Sequence, residues 1–599
     1  MSNAEDAATA GRIIKLKCSN GFCFEVNEAI AKEFSACKKW SKKVLDDVLT
    51  LKSVSQQHLA TIIAFCAKQV EFRERAADES EMNGFLEEYK KGLNTDELWG
   101  LTKAVHSLGI PFLFNMLKSL IVDRLRGKSA EFILTFLGIG RKVNLDTGVR
   151  REILLWMPGT QLVGLSRVSE SVRSLIAMPD FVEAHLKCMK QQLSAQKPSH
   201  AERVFGRIKN SLTSRFNGEG RSCSLYSIFE DTEVELDEIP ECFVKSRIVG
   251  SVNGLLCSVG MYTVHIRSPN SGHVFSFRHW DMEFEAKSGE DIPFGFGYDG
   301  QRDVYKVLQL CPQASKVIAR VFDLKTCTWR VIDGFDYGIK VSNEVGTFVD
   351  GCLFFRMDSE KIIVSFNLST EKFNITHLPN RFNENMEYWT LRPVGESVGL
   401  FCYGDGFCVG WLMKPSSAEW VKTFTVKTDV LNCKSTRAVY ISDTNRILLH
   451  TDHNLVICDT KENRFRCPAP DAPAYDFAVI YLDTLVVLPH TAKIAMKKKR
   501  DSKARHESRM NKMLENLGID PSLSSYDALA ELCLMKGLPA PCYLAELQPC
   551  GGYTAAVSLK GYRTQESEEL RRKKKTAGLS KALDLVAEAM LEYIAWAGI

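Results

Sequence analysis

The stretch from Leu145 to Leu186 constrains the fold of this chain most, because it carries more apolar surface than it can bury by itself. Its first apolar stripe recurs every four residues and consists of Leu145, Val149, Ile153 and Met157. A second helical stripe follows Met157-Pro158-Gly159 and consists of Leu165, Val168, Val172, Leu175 and Ile176. About 40 residues in three short helices cannot form a core alone. The stretch therefore needs a partner, although the pattern fits a helical hairpin inside a larger core equally well.

The same stretch contains ILLWMPGTQLVGLSRVSESVRSLIAMPDFVEAHL, which resembles an F-box. It departs from the family at Leu145-Asp146, where Leu-Pro is usual, and at Val172, where a tryptophan is usual. In that family the motif docks on a Skp-type adaptor and couples a substrate-binding domain to a cullin ubiquitin ligase. The resemblance implies that the adaptor interface consists of Leu145, Val149, Ile153, Leu154, Met157, Leu162, Leu165, Val168, Val172, Leu175 and Ile176.

The residues upstream predict an α/β domain. Residues 12–26 alternate between apolar and polar side chains around Asn20-Gly21, which is a strong hairpin signal. A helical pattern follows, for which Ser55 is the expected N-cap. Residues 12–139, including IKLKCSNGFCFEVNEAIA and LWGLTKAVHSLGIPFLFNML, resemble the Skp adaptor family. The resemblance implies a BTB/POZ-like fold that binds a cullin and presents its last helices to an F-box.

The F-box-like stretch begins within a few residues of Ile139. A link this short makes docking intramolecular, at an effective concentration on the order of mM or more. We therefore expect residues 12–140 and 145–186 to pack together in cis, and the alternative is a separate Skp-type adaptor bound in trans. The family's Ala-Ala-Asn-Tyr-Leu-Asn-Ile is AVHSLGI here, so Ser107 replaces an aromatic contact residue. The resemblance implies that His106 and Ser107 are cullin contacts, and the alternative is that they are surface residues on a structural helix.

Short alternating strands with regular turns extend from Cys223 to about His490 and predict an all-β repeat array. Segments such as IVGSVNGLLC, RVFDLKTCTWRVI and IIVSFNLSTEKFNITHLP resemble the F-box-associated, kelch-like propeller domain. The resemblance implies that this domain binds a protein substrate. The glycines of GFGYDG spell GxGxxG, but the residues after them alternate like a strand, so we interpret them as a turn cluster rather than a dinucleotide site.

The C-terminal segment resembles a double-stranded RNA-binding domain in YDALAELCLMKG, PAPCYLAEL and the helix expected from Ser580. The histidine loop of that family is absent. The resemblance implies binding of double-stranded RNA, and the alternatives are a solvated basic face and a domain that contacts protein. The residues that would bind RNA are Glu531, Lys573, Lys574, Lys575, Ser580 and Lys581. The upstream run Lys497-Lys498-Lys499-Arg500 fits a nuclear-localisation or polyanion-binding patch and a soluble linker equally well.

The 599 residues carry a net charge of only +4, so composition implies no particular partner for the whole chain. The cysteines are scattered, and the sequence shows neither a leader nor an apolar run long enough to span a membrane, which predicts a nuclear and cytoplasmic protein. It also shows neither metal-ligand spacing nor a catalytic motif, which predicts a non-catalytic protein without cofactor or metal. Two functions remain: a substrate receptor fused to its adaptor in a cullin ligase, and a non-ligase, RNA-associated scaffold. The expected domains are a disordered tail at 1–11, a BTB/POZ-like domain at 12–140, F-box helices at 141–190, a linker at 191–222, a propeller at 223–490, a basic linker at 491–518 and an RNA-binding-like αβα domain at 519–599.

Overall fold

The structure is a computed structural model, and the chain forms two compact units, Met1–Val487 and Leu488–Ile599. The structure describes residues 13–35, 48–140, 148–193, 201–208, 220–230, 237–239, 246–260, 263–279, 292–312, 317–335, 342, 344–357, 362–379, 388–404, 406–416, 419–431, 436–442, 445–452, 454–468, 475–486, 510–537, 541–547, 553–559 and 591. Among these residues no helix combines the length and the apolar character that a bilayer crossing requires.

The described residues of the first unit begin with a small mixed sheet and a set of helices, which confirms the α/β prediction. Strands β1 (Ile13–Lys17) and β2 (Cys23–Asn27) form a hairpin, and β3 (Val48–Thr50) pairs parallel to β1. The predicted turn residue Gly21 has φ +88°, a left-handed conformation that glycine adopts without strain. The helices are α1 (Glu28–Ala31), α2 (Gln56–Glu74), α3 (Glu79–Gly92), α4 (Thr95–Leu108), α5 (Pro111–Leu125) and α6 (Ala130–Leu137). We call this part, residues 13–140, the adaptor-like region.

Capping residues fix where these helices begin. The predicted N-cap Ser55 accepts the backbone N–H of His58, and Asn94 accepts that of Glu97. The break at Met157-Pro158-Gly159 also lies where the sequence predicts it, between the first two of four short helices. These are α7 (Val149–Trp156), α8 (Gly159–Val168), α9 (Glu170–Ile176) and α10 (Pro179–Leu193), which we call the F-box-like helices.

Among the residues that the structure describes, six four-stranded antiparallel sheets follow and confirm the predicted all-β array. Five of them are built from consecutive strands: β7 (Arg247–Val252) to β10, β11 (Phe294–Asp299) to β14, β15 (Thr347–Val349) to β18, β19 (Tyr388–Val394) to β22, and β23 (Thr436–Ile441) to β26. The remaining bounds are Leu255–Val259, Thr263–Arg267 and Val274–Arg278 for β8–β10; Val304–Pro312, Val317–Asp323 and Thr328–Phe335 for β12–β14; Cys352–Arg356, Ile362–Asn367 and Phe373–His377 for β16–β18; Ser397–Gly404, Phe407–Met413 and Trp420–Lys427 for β20–β22; and Arg446–Thr451, Leu455–Asp459 and Arg464–Arg466 for β24–β26. The first strands of neighbouring sheets contact one another, as in the blades of a propeller.

The sixth blade closes the ring and corrects one domain boundary. Its inner strand is β27 (Tyr475–Leu482), which pairs with β4 (Glu202–Ile208), β5 (Gly220–Ser224) and β6 (Asp237–Ile239), with the short helix α11 (Leu225–Phe229) after β5. The propeller therefore begins at residue 202, inside the segment predicted to be a linker at 191–222. Joining the first strands to the last removes the open edges that a linear array would expose.

Three blades share one turn design between their outer two strands. Asp323, Asn367 and Asp459 each accept two backbone N–H groups, from the second and third residues after them. These turns correspond to the Asn/Asp-containing turns that the sequence predicts between strands.

The glycines of GFGYDG differ from the prediction, because Gly295 and Gly297 lie within strand β11 rather than in a turn. A Cβ on Gly297 would lie 2.4 Å from Leu368 Cδ1, so close packing between blades requires glycine there.

The second unit contains α12 (Ser525–Met535) followed by an antiparallel pair, β28 (Pro541–Leu547) and β29 (Tyr553–Leu559). The buried face of α12 contributes Ala528, Leu529, Leu532 and Cys533 to a small apolar core. This order matches the first helix and first two strands of the predicted αβα domain.

A buried ionic network joins the second and third blades. Lys306 Nζ donates to Asp299 Oδ2 at 2.9 Å, to Leu368 O at 2.6 Å and to Glu371 Oε1 at 3.0 Å. Burial raises the pKa of Asp299, but hydrogen bonds from Ser369 and Lys306 outweigh that effect and lower its pKa to about 2. All three donor positions of the ammonium are thus used, which satisfies a lysine that is 1% exposed.

We expect Asp299→Asn to lower the free energy of unfolding of the propeller by about 1–3 kcal/mol, because Lys306 loses its buried carboxylate partner. The depressed pKa of Asp299 stabilises the fold above about pH 4 and ceases to do so as the pH falls towards 2. The thermal unfolding midpoint should therefore fall less steeply with acid in Asp299→Asn than in the wild type. The exposed Asp333→Asn is the matched control, and equal midpoints for the two variants would contradict the assignment.

Candidate protein-interaction site

The adaptor-like region and the F-box-like helices share one apolar core. Helix α7 packs on α4 and α5, and α8 packs on α6. The predicted interface residues that are buried in this core, each at most 2% exposed, are Ile153, Leu154, Met157, Leu162, Leu165, Val172 and Leu175. Val149 and Ile176 are half-buried against it. The two segments that the sequence pairs in cis therefore lie together in one core of buried side chains.

Two predicted interface residues differ from the others. Val168 is 51% exposed, because α8 ends there and Ser169 turns the chain into α9, so the helical stripe does not continue through it. Leu145 lies outside the described residues. The apolar contact that Val168 was expected to supply is therefore absent from the core.

A buried lysine lies at the junction of α5 and α7, and sequence reasoning missed it. The side chain of Lys118 is 6% exposed, and its Nζ is 3.4 Å from Glu152 Oε2. The same nitrogen lies 4.8 Å from the centroid of the Phe114 ring and 4.7 Å from that of Trp156. The available signal was a lone cation inside the apolar run FLFNMLKSLIV. The contact joins a cation of the adaptor-like region to a carboxylate and an aromatic ring of the F-box-like helices.

Two further hydrogen bonds join the same segments through helix ends. Arg150 Nε donates to Leu137 O at 2.8 Å, and Gln161 Nε2 donates to Leu125 O at 3.1 Å. Both carbonyls lie at the last residue of a helix, where no intrahelical donor remains. Arg150 thus supplies a donor to Leu137 O, and Gln161 adds a second donor to Leu125 O, which also accepts the Lys128 backbone N–H at 3.3 Å.

Asp483 connects the F-box-like helices to the propeller. The carboxylate is fully buried and accepts the Thr160 backbone N–H at 2.9 Å, the Thr160 hydroxyl at 2.8 Å and Asn270 Nδ2 at 2.7 Å. Helix α8 has no side-chain cap of its own, so Asp483 supplies a negative charge and an acceptor at its N-terminus. Gly159 N–H also donates to Asp483 O, at 3.1 Å. This buried carboxylate therefore fixes the first turn of α8 against the propeller.

Close backbone approach accompanies these bonds. A Cβ on Gly159 would lie 2.6 Å from Asn270 Nδ2 and 2.8 Å from the Thr484 backbone carbonyl. His185 of α10 packs nearby, where its Nε2 lies 2.8 Å from Met157 O and burial lowers its pKa. The junction between the F-box-like helices and the propeller is thus packed to backbone contact.

The propeller encloses an axial cavity of about 390 Å³, lined by the inner strands of its blades and by the end of α10. The lining is mainly apolar, with charged groups contributed by Lys190, Glu202, Asp350 and Arg392. Cations and carboxylates are balanced, so the lining favours no ligand charge. The F-box-like helices lie at the end of the ring where the inner strands finish, because Asn270 and Thr484 contact Gly159 there.

The predicted cullin contacts His106 and Ser107 are exposed at the end of α4. The hydroxyl of Ser107 donates to Ala104 O at 2.8 Å, and the ring of His106 lies 5.0 Å from that of Phe114. Phe112, which sequence reasoning did not single out, follows the same inter-helix turn and is 48% exposed.

Of the residues predicted to bind RNA, Glu531 lies half-buried on α12. The others lie outside the described residues: Lys573, Lys574, Lys575, Ser580 and Lys581. No group of three or more metal-ligating side chains occurs in the described part of the chain.

Known proteins resemble the adaptor-like region, and others resemble the part of the chain that contains the propeller. The family model for the F-box associated beta propeller domain matches residues 212–466. An F-box/kelch-repeat protein of Arabidopsis thaliana is 26% identical over 363 residues, covering 57% of this chain and 95% of that protein. The F-box protein CPR1 of Arabidopsis thaliana is 22% identical over 422 residues, covering 61% of this chain and 94% of that protein. SKP1-like protein 3 of Arabidopsis thaliana is 30% identical over 131 residues, covering 20% of this chain and 80% of that protein.

We expect Gly159→Ala to lower the free energy of unfolding by about 1–3 kcal/mol, because the added methyl group collides with Asn270 and with the Thr484 backbone. Gly164→Ala in the same helix is the matched control, since its Cβ meets nothing within 4 Å. The control should be stabilised by about 0.5–1 kcal/mol through helix propensity. Chemical unfolding followed by circular dichroism measures both. A Gly159→Ala variant as stable as Gly164→Ala would show that the junction is not closely packed.

Proposed function

The chain belongs to the SKP1-like family through its N-terminal region and continues as an F-box protein with a β-propeller domain, and we propose on this premise that it is a substrate receptor with its adaptor fused in cis. In this proposal the adaptor-like region binds a cullin and the propeller binds the target protein. The chain then carries out no chemistry itself. Its contribution is to hold the target near a ubiquitin-charged enzyme that other subunits supply.

The observation that carries the proposal is the shared core between the adaptor-like region and the F-box-like helices. Seven predicted interface residues lie in that core, and Lys118, Arg150 and Gln161 add polar contacts across it. With its apolar surface covered from within the same chain, the F-box-like segment has no need of a separate adaptor. We therefore favour docking in cis over a Skp-type adaptor bound in trans.

The propeller face away from the F-box-like helices is the proposed target-binding surface. Tyr388 begins an inner strand on that face, and its ring lies between the guanidinium groups of Arg356, at 4.8 Å, and Arg437, at 5.8 Å. Arg437 is exposed, whereas Arg356 also lies 3.7 Å from Glu344. Aromatic and arginine side chains are enriched where interfaces derive most of their binding energy.

Cullin binding is proposed through the surface around His106 and Ser107. Both side chains are exposed, and Phe112 adds an exposed aromatic ring after the same turn.

We propose that the protein acts in the nucleus and the cytoplasm.

A second candidate function is that of a non-ligase scaffold associated with RNA. The helix and two antiparallel strands of the second unit favour it, since they follow the order expected for a double-stranded RNA-binding domain. The two functions differ in their partners: cullin and RING subunits for the ligase, and double-stranded RNA for the scaffold.

Affinity purification of the full chain followed by mass spectrometry tests the proposal, and cullin and RING subunits are the expected partners. We expect Ser107→Tyr to increase cullin recovery about tenfold, because it adds an aromatic contact to an exposed surface. Ser174→Tyr, an equally exposed serine on α9, is the control and should leave recovery unchanged. Recovery of RNA and RNA-processing proteins without cullin would contradict the ligase function and support the scaffold.

A further inference from the structure

Lys118 holds the only buried ammonium found among the described residues of the interface between α5 and α7. Its nitrogen lies between the rings of Phe114 and Trp156 and 3.4 Å from Glu152 Oε2. Phe114 belongs to the adaptor-like region, whereas Trp156 and Glu152 belong to the F-box-like helices. One of these three contacts therefore lies within the lysine's own helix, and the other two cross the interface.

A buried charge is a poor way to gain stability. Removing an ammonium from water is costly, and replacing a buried ion pair by apolar side chains of similar size often leaves a core equally stable. The short link between the two segments already makes docking favourable. An ion pair is thus unnecessary for docking as such, and its placement calls for another physical explanation.

The explanation is that the two sides of the interface are complementary in charge and in aromatic contacts. In this structure Lys118 is paired with a carboxylate and an aromatic ring of the F-box-like helices. An adaptor that presents a carboxylate in the position of Lys118 would instead place two negative charges together beside Glu152, whose side chain is 41% exposed. Such a pair discriminates between partners through the penalty for a mismatch.

We propose that Lys118 is the specificity-determining residue of the adaptor-like region, which makes the F-box-like helices of this chain select their own adaptor-like region over a separate one. This inference rests on the proposed docking in cis and adds the contact that makes the docking exclusive. Its partners are Glu152 and Trp156 of the same chain.

Binding of purified SKP1-like protein 3 of Arabidopsis thaliana to the immobilised full chain tests the inference. A separate adaptor binds only the fraction of molecules whose F-box-like helices are undocked. Lys118→Glu sets two carboxylates against each other and should increase that binding about tenfold or more over the wild type. The charge swap Lys118→Glu with Glu152→Lys should restore wild-type exclusion. Lys103→Glu is the matched control, because that lysine lies over Trp99 on an exposed surface.

A third variant, Lys118→Met, keeps the aliphatic packing without the charge. It tests the proposal in the event that Lys118→Glu fails to fold, which thermal unfolding would reveal. Because it leaves Glu152 without its cation, it should also increase binding of the separate adaptor, by less than Lys118→Glu does. If the wild type excludes the adaptor and the folded Lys118 variants exclude it equally well, the role of Lys118 is overturned while docking in cis stands. If the wild type itself binds the adaptor tightly, docking in cis is wrong, and the proposed function fails at that step.

Discussion

The rest of the first unit depends on the apolar core that the adaptor-like region and the F-box-like helices build together. Ile153, Met157 and Leu162 are each fully buried in it, and none of the four F-box-like helices could bury its apolar residues alone. Helices α5 and α6 of the adaptor-like region likewise carry apolar residues that need a cover. Folding the two segments on each other covers both apolar surfaces.

The second constraint is the buried carboxylate of Asp483. It accepts three donors, from Thr160 and Asn270, and so links the first turn of α8 to two loops of the propeller. Leu485 then continues into the same apolar core as the adaptor-like region. The propeller is therefore joined to the F-box-like helices by packing and hydrogen bonds in addition to the chain itself. In the proposed ligase, such a junction would hold a bound target at a fixed orientation to the cullin-binding surface.

Local periodicity predicted the helices and strands, since it follows directly from which side chains face the core. The stripes through Ile153 and Val172, the hairpin at Asn20-Gly21 and the N-cap at Ser55 are of this kind. Beyond the packing in cis that the two family resemblances imply, contacts between distant segments do not follow from local pattern. Strand β4 resembles a linker in sequence because its partner, β27, lies at the far end of the propeller sequence. Asp483 and Lys118 look like ordinary charged residues until the fold brings Thr160 and Glu152 to them.

The central claim is that the F-box-like helices dock on the adaptor-like region of the same molecule. Hydrogen–deuterium exchange of α7 and α8 in the full chain, measured over a wide range of protein concentration, tests it most directly. Intramolecular docking predicts that amides in Val149–Trp156 and Gly159–Val168 stay equally protected on dilution, because the effective concentration of the partner is fixed by the link. Protection that is lost on dilution and regained when a separate SKP1-like adaptor is added would contradict the account.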